Sequence, residues 1–303
     1  MKRKNFYTYA KMKKEFDEIK SLFSAEAEYK SIGKSVWGRE IECIKIGKGE
    51  TKILFCGAHH GMEHLTSKLL LTFAREYLWA IKSNGKIGDK NARKLKKHSS
   101  LYIVPMLNPD GVDLSVYGLS APDIINKDYL MKINPGGDFS DWQANARGVD
   151  LNHNYDALFN KSKESEKTHG IKGAGRTRYS GEFPESEPET KSLCDFTRAE
   201  NFNLVMAFHS QGKVIYYDFN GKEPVYSHAI AKTFEDISEY KIDYTEGIAS
   251  FGGYKDWFID KFLRPGFTIE IGEGKNPLPL SDLHKVYHET LPIMTNVLGL
   301  NLP

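Results

Sequence analysis

Cysteine is scarce: Cys43, Cys56 and Cys194 are the only three in 303 residues, odd in number and widely spaced. That pattern excludes a disulfide framework and any C-x-x-C site, and it suits a reducing compartment best. Long apolar runs are missing as well. No stretch approaches the ~20 residues of a membrane span. The basic N-terminus "MKRKNFYTYAKMKKEF" lacks the apolar centre of a signal peptide. Neither sign of charge dominates, with 42 Lys plus Arg against 40 Asp plus Glu, a net charge of +2. A dedicated nucleic-acid binder carries a concentrated basic footprint that this balance does not suggest. The one basic run, Lys82 to Ser100, reads as a solvated connection. The expectation is a cytoplasmic protein with no nucleic-acid or membrane partner.

Hydrophobic residues at 40% and aromatics at 12% suffice for a substantial core. No repeat or low-complexity linker divides the chain, which reads as one domain over residues 1–303. Met12, Phe16, Ile19 and Phe23 form a helical stripe within Thr8 to Ser24. The glycine-broken segment after it reads as a strand pair. Strand "KILFCGA", helix Glu63 to Lys82 and strand Leu101 to Leu107 come next. Roughly Ser115 to Arg178 is irregular and rich in Gly, Asn, Asp and Ser, a length that inside a compact domain is usually functional. Regularity returns at Ser186, where an S-x-x-E capping box with Glu189 and a first-turn Pro188 opens a helix. Strands "NLVMAFHS" and "KVIYYDF", helix Val225 to Glu239, a short helix at "GGYKDWFIDKF", strand "GFTIEIG" and helix Leu280 to Leu298 complete the chain. Buried-type strands alternating with helices predict an α/β fold, a mostly parallel twisted sheet covered on both faces. In such sheets ligands gather beyond the C-terminal strand ends.

Chemistry-bearing residues fall at those ends. "FCGAHHGMEHL" places His59, His60, Glu63 and His64 within six residues at a strand-to-helix junction. The H-x-x-E spacing of His60 and Glu63 lets an imidazole and a carboxylate approach one point, and His209, ending an apolar strand, is the natural third ligand for Zn²⁺. Glu270 sits in the apolar strand "GFTIEIG", where a carboxylate needs a partner or a purpose. "NARGVDLNHNYD" adds Arg147, able to polarise a carbonyl, and Asp150, able to orient a ligand histidine through its second nitrogen. Each alone has a plain structural reading; together they make a metal-hydrolase proposal.

With these segments in view, the chain resembles the zinc carboxypeptidase family over nearly its whole length. The matching stretches are "YTYAKMKKEF", "GAHHGMEH", "VPMLNPDGVDL", "GVDLNHNYD", "FPESEPETKSL", "AFHSQG", "GGYKDW" and "FTIEIG". The resemblance implies one zinc per chain held by His60, Glu63 and His209, with Glu270 as general base and Arg147 as oxyanion stabiliser. His59 and His64 then take supporting roles. Departures from the family pattern narrow the substrate. Asn152 is kept, but His153 replaces the arginine that grips a substrate's C-terminal carboxylate. Gly247 and Ile248 stand where the mobile tyrosine is expected, the nearest tyrosines being Tyr244 and Tyr254. Met62 replaces the arginine beside the first glutamate ligand, and Lys255 falls at a position that in the family reaches the specificity pocket. "NARGVDLN", "FHSQGKVIYYDF" and "PGFTIEIGEGKNPLP" resemble the bacterial γ-D-glutamyl-L-diamino acid endopeptidase branch. The implied substrate is therefore a peptide, specifically a muropeptide stem cut between D-glutamate and diaminopimelate. The alternatives are a general metallocarboxypeptidase, an amidohydrolase of the deacylase branch, and a catalytically inactive binding module.

Overall fold

The computed structural model describes residues 6–245 and 251–302. Helix α1 (Tyr9–Leu22) leads into strands β1 (Ala27–Lys34), β2 (Glu40–Ile46) and β3 (Thr51–Gly57), then α2 (His64–Lys82). A small hairpin of β4 (Lys86–Ile87) and β5 (Lys90–Asn91) precedes α3 (Ala92–His98) and β6 (Ser99–Val104). Helices α4 (Pro109–Tyr117), α5 (Lys127–Ile133), α6 (Phe159–Thr168) and α7 (Pro188–Glu200) come before β7 (Leu204–His209) and β8 (Val214–Tyr216). The described chain closes with α8 (Val225–Ile237), β9 (Lys241–Ile242), α9 (Tyr254–Phe262), β10 (Gly266–Glu270) and α10 (Leu283–Val297).

One eight-stranded sheet runs β1-β2-β6-β3-β7-β10-β8-β9. Its centre, β6, β3, β7 and β10, is parallel, and β8 pairs parallel with β9. The β1–β2, β2–β6 and β10–β8 pairs are antiparallel. The expected mixed, mostly parallel α/β sheet is thus present. Alternation across the pleat explains the continuous apolar strands. Ile53 and Phe55 of β3, with Leu204, Met206 and Phe208 of β7, enter one core against α1, α2, α8 and α10. Leu54 and Cys56, with Val205 and Ala207, enter a second core against α7 and α9. Both faces are buried, so no polar residue is wanted until the strands end. Among the described residues, no helix is long and apolar enough to cross a membrane.

Three expectations need correction. The basic run is not a plain connection. Asn91 caps α3 by accepting the Lys94 N–H (3.0 Å), while Ile87, Ala92 and Leu95 are buried. The irregular section contains α5 and α6 and carries a small core of its own, in which Leu114, Leu130, Phe139 and Trp142 are fully packed. The Ser186–Glu189 capping box does not form, since Glu187 is the N-cap of α7. The Ser186 hydroxyl instead accepts from Asn154 Nδ2 (2.9 Å), and Glu189 turns inward to accept the Val36 N–H (3.0 Å).

Candidate active site and metal centre

The parallel register brings the ends of β3, β7 and β10 to one edge of the sheet. After Gly57 the chain turns through His60 and Gly61 into α2. Gly61 is required by space: a Cβ there would lie 2.3 Å from the Gly111 carbonyl oxygen. The turn is pinned by Gly61 N–H to Gln143 O and Met62 N–H to Trp142 O, both 2.9 Å. Glu63 is the N-cap of α2 yet makes no capping bond. Its carboxylate is spent elsewhere, 2.8 Å from His60 Nδ1 through Oε1 and 3.1 Å from His209 Nδ1 through Oε2.

His60 Nδ1 and His209 Nδ1 are 3.3 Å apart. That separation matches one edge of a tetrahedron with bonds of roughly 2.0–2.1 Å, the zinc–imidazole length. Among the described residues this His–Glu–His trio is the one group of three or more ligating side chains close enough to share an ion, with ligand atoms within 4.8 Å of one another. Its donor set, two neutral-capable imidazoles and one carboxylate, fits Zn²⁺ with room for a fourth ligand. Behind it, Asp150 Oδ1 meets His60 Nε2 at 3.1 Å, fixing which nitrogen faces the metal position. Asp150 is itself held by the N–H groups of Arg178 (2.9 Å) and Asn152 (3.2 Å).

The electrostatics ask for a cation. Burial pushes the His60 pKa down, but the carboxylates of Glu63 and Asp150 override it and raise it well above the usual imidazole range. Burial also works against the charged forms of both acids. His60 and His209 nonetheless bring Glu63 down to about 2, and His60 and His153 hold Asp150 well below the ordinary carboxylate range. A dication among the trio meets the same demand for positive charge. Glu270 responds oppositely: burial, reinforced by the Glu63 carboxylate, lifts its pKa well above normal, with His60 countering. Such a carboxyl is poised for proton transfer, and a dication at the trio draws it back down.

His60 of the trio and Glu270 open onto a cavity of about 700 Å³, also lined by Asn152, His153 and Lys255. Asn152 Oδ1 accepts the Tyr254 N–H (3.1 Å), and His153 Nδ1 lies 3.1 Å from the Phe251 carbonyl. Lys255, at the position the resemblance connects with a specificity pocket, lines this cavity with its charge already paired. It is ion-paired with Asp256 at 2.6 Å, the two side chains being only 4% and 6% exposed, and it donates to the Asp218 carbonyl. His59 and His64 stand outside the trio. His59 bonds the Tyr155 hydroxyl (3.1 Å) and stacks on His209, while His64 accepts the Tyr7 N–H (3.4 Å). Of the two tyrosines, Tyr254 is buried against Thr197 and only Tyr244 lines the cavity. Gly247 and Ile248 lie outside the described residues.

Arg147 is not brought to the trio. Asn145 Oδ1 accepts the N–H groups of Arg147 (2.9 Å) and Val149 (3.2 Å) in a tight turn. The side chain, 51% exposed, carries its guanidinium to 3.7 Å from Glu187 on a separate cavity. Gln143, Arg176 and Arg178 line the active cavity instead. The R-T-R alternation in "AGRTRYS" is the signal that could have marked the two arginines.

Residues 12–293 match the zinc carboxypeptidase family model, so this chain is a member of that family and a zinc-dependent peptidase. It is 36% identical over 289 residues to gamma-D-glutamyl-L-diamino acid endopeptidase 1 of Lysinibacillus sphaericus, covering 95% of this chain and 71% of that protein. With human carboxypeptidase B it shares 27% identity over 285 residues, 86% of this chain and 62% of that one. The crystal structure of thrombin activatable fibrinolysis inhibitor superposes with a TM-score of 0.75 at 19% identity, covering 97% of this chain and 74% of that chain. The murein-tripeptide amidase of Escherichia coli O157 gives 0.53 at 20% identity, covering 90% and 92%. At those identities the two structures speak for the fold.

Proposed function

We propose that this peptidase hydrolyses the bond between γ-D-glutamate and an L-diamino acid such as diaminopimelate in cell-wall stem peptides. The observation carrying the substrate is the buried Lys255–Asp256 pair on the wall of the cavity. A diaminopimelate side chain ends in an ammonium and a carboxylate, and this wall offers one charge of each sign. Lys255 has three N–H donors, of which the Asp218 carbonyl takes one, while Asp256 is held as an ion pair, so donor capacity remains for a ligand carboxylate. The name of the Lysinibacillus relative supports the same bond. The three cysteines, all buried free thiols, support a reducing, cytoplasmic setting.

We assign each catalytic role to a residue of this site. His60, Glu63 and His209 would hold the zinc ion, which when bound would supply Lewis acidity toward the scissile carbonyl and water. Glu270 takes the proton of the attacking water and returns it to the leaving amine, cycling between carboxylate and carboxyl. Asp150 keeps His60 oriented throughout. Gln143 is the oxyanion donor in place of Arg147: its Oε1 is held by the Thr177 hydroxyl, leaving the amide N–H groups for developing charge.

A second reading, removal of C-terminal residues from peptides in general, is favoured by Arg178. Its exposed guanidinium lines the cavity without an ionic partner among the described residues and could grip a terminal carboxylate. The test compares L-Ala-γ-D-Glu-diaminopimelate, the same peptide ending in alanine, and hippuryl-type substrates. A charge-assisted contact of about 1.5–3 kcal/mol makes the alanine peptide roughly 10- to 150-fold poorer in kcat/KM. Equal hydrolysis of all three supports the carboxypeptidase reading.

A further inference from the structure

A second cavity of about 410 Å³ adjoins the active one, and the two share Asp141 and Arg176 as a common wall. Lys275 and Asn276 line its far side. Asn276 ties that side to the metal edge, for it accepts the Ser210 hydroxyl (2.8 Å) and donates to the Ser210 carbonyl (2.6 Å), one residue beyond His209. Arg176 is tied from the other direction. Its carbonyl accepts the N–H groups of Gln143 (2.9 Å) and Ala144 (3.0 Å), and the Gln143 carbonyl accepts the N–H of Gly61 in the ligand turn. The backbone that launches this guanidinium is thus linked by hydrogen bonds to the metal-binding turn.

Resting on the function proposed above, we infer that Arg176, with Lys275 behind it, binds the free α-carboxylate of the γ-linked glutamate on the acyl side of the scissile bond. The sidedness follows from Glu270. The residue that delivers a proton to the leaving amine lines the larger cavity and not the smaller, so the amine side occupies the larger and the acyl side points past Arg176. A γ-glutamyl acyl group carries its α-carboxyl carbon four bonds from the reacting carbonyl carbon, on the order of 5 Å when extended. An ordinary α-peptide places an amide on that branch and no charge.

Arg176 is equipped for the exchange. It engages Asp141 through Nη1 alone (2.7 Å), with the pair half exposed, so most of its donor fork is available to a bidentate carboxylate. Lys275 is exposed and has no ionic partner among the described residues. Two acids also face this cavity. Asp141 is already neutralised by Arg176, and Asp138 is exposed and engaged with the Ser140 N–H (2.9 Å).

The experiment pairs two substrates, L-Ala-γ-D-Glu-diaminopimelate and its α-carboxamide analogue built on D-isoglutamine, with zinc-loaded wild type and the Arg176→Gln and Lys275→Ala variants. Wild type is expected to cut the amide at least 10-fold more slowly in kcat/KM. Arg176→Gln is expected to lose 10- to 100-fold on the carboxylate, mostly through KM, and less than 3-fold on the amide. Lys275→Ala should show the same pattern, reduced. Indifference of wild type to amidation overturns the inference. So does an equal loss on both substrates carried in kcat, which assigns Arg176 to the reacting carbonyl. If wild type cleaves hippuryl peptides and neither γ-linked substrate, the parent function fails and the inference with it.

Discussion

His209 and Glu270 are direct partners across the β7–β10 pair, in parallel register at the last residue of each strand. The proposed metal ligand and the proposed proton carrier are thus fixed side by side by backbone hydrogen bonding rather than by loop conformation. Rigid strand ends hold such groups more tightly than loops do.

Removal of the metal tests the trio. His209→Ala is expected to retain little zinc by metal analysis, and chelation of wild type should abolish turnover and lower Tm, with both restored by added Zn²⁺. Asp150→Ala should keep the trio but weaken zinc affinity by roughly 10- to 100-fold. Full zinc and full activity in His209→Ala would falsify the assignment.

Glu270→Gln should fold and bind zinc while losing ~10²-fold or more in kcat, since an amide cannot shuttle the proton. Gln143→Ala should lower kcat with little change in KM, on the order of 10-fold or more. Arg147→Ala, off the cavity, should change kcat less than about 3-fold. A larger loss for Arg147 than for Gln143 reverses the oxyanion assignment.

The Lys255–Asp256 pair is a liability when broken. Lys255→Met leaves Asp256 buried without its cation, a loss of roughly 3–5 kcal/mol. Adding Asp256→Asn should recover much of it, because asparagine can still accept the Gly253 N–H that Asp256 accepts at 3.2 Å. Urea unfolding of the single and double variants decides; a double variant no more stable than the single one removes the pair from the account.

Glu189 sets a pH dependence away from the metal. Burial, followed by the charge of Asp110, raises its pKa from 4.5 to about 8. Between those values the native protein holds a proton that the unfolded chain releases, so this group's contribution to stability declines as pH rises from about 4.5 to about 8 and is flat beyond. Glu189→Gln removes that slope. Relative to wild type, the variant should gain stability between pH 5 and pH 9, read from denaturation midpoints at each pH. A difference that does not change with pH means Glu189 holds no such proton.

The strands, the central helices and the metal trio were legible because each left a local mark. Phe55 and Phe208 belong to apolar runs that end abruptly in polar residues, and His60 and Glu63 are three positions apart. The side of the cavity that carries the proposed oxyanion donor was not legible. Gln143 and Arg176 are 33 positions apart and meet through Gln143 N–H to Arg176 O, a bond made by a loop folded over Phe139 and Trp142. No period announces that arrangement. The ion pair of Lys255 was hidden for a different reason: neighbours on a helix do not face each other, so its pairing with Asp256 depends on a burial that sequence spacing does not encode. Ser186 and Glu189 had the right spacing for a cap, but Asn154 and Val36 compete for them from distant segments.

The 149 positions between His60 and His209 also bear on how the protein is made. A chain still emerging from the ribosome, with β7 unsynthesised, has His60 and Glu63 but no third ligand, and a two-ligand grip is weak. The neighbouring β3 and β7 must pair before the site exists, a distant closure of the kind that slows folding. Zinc is therefore expected to load after the central sheet has assembled, locking a finished fold rather than seeding it. An N-terminal fragment ending before Leu204 should bind the ion poorly, however well its own helices form.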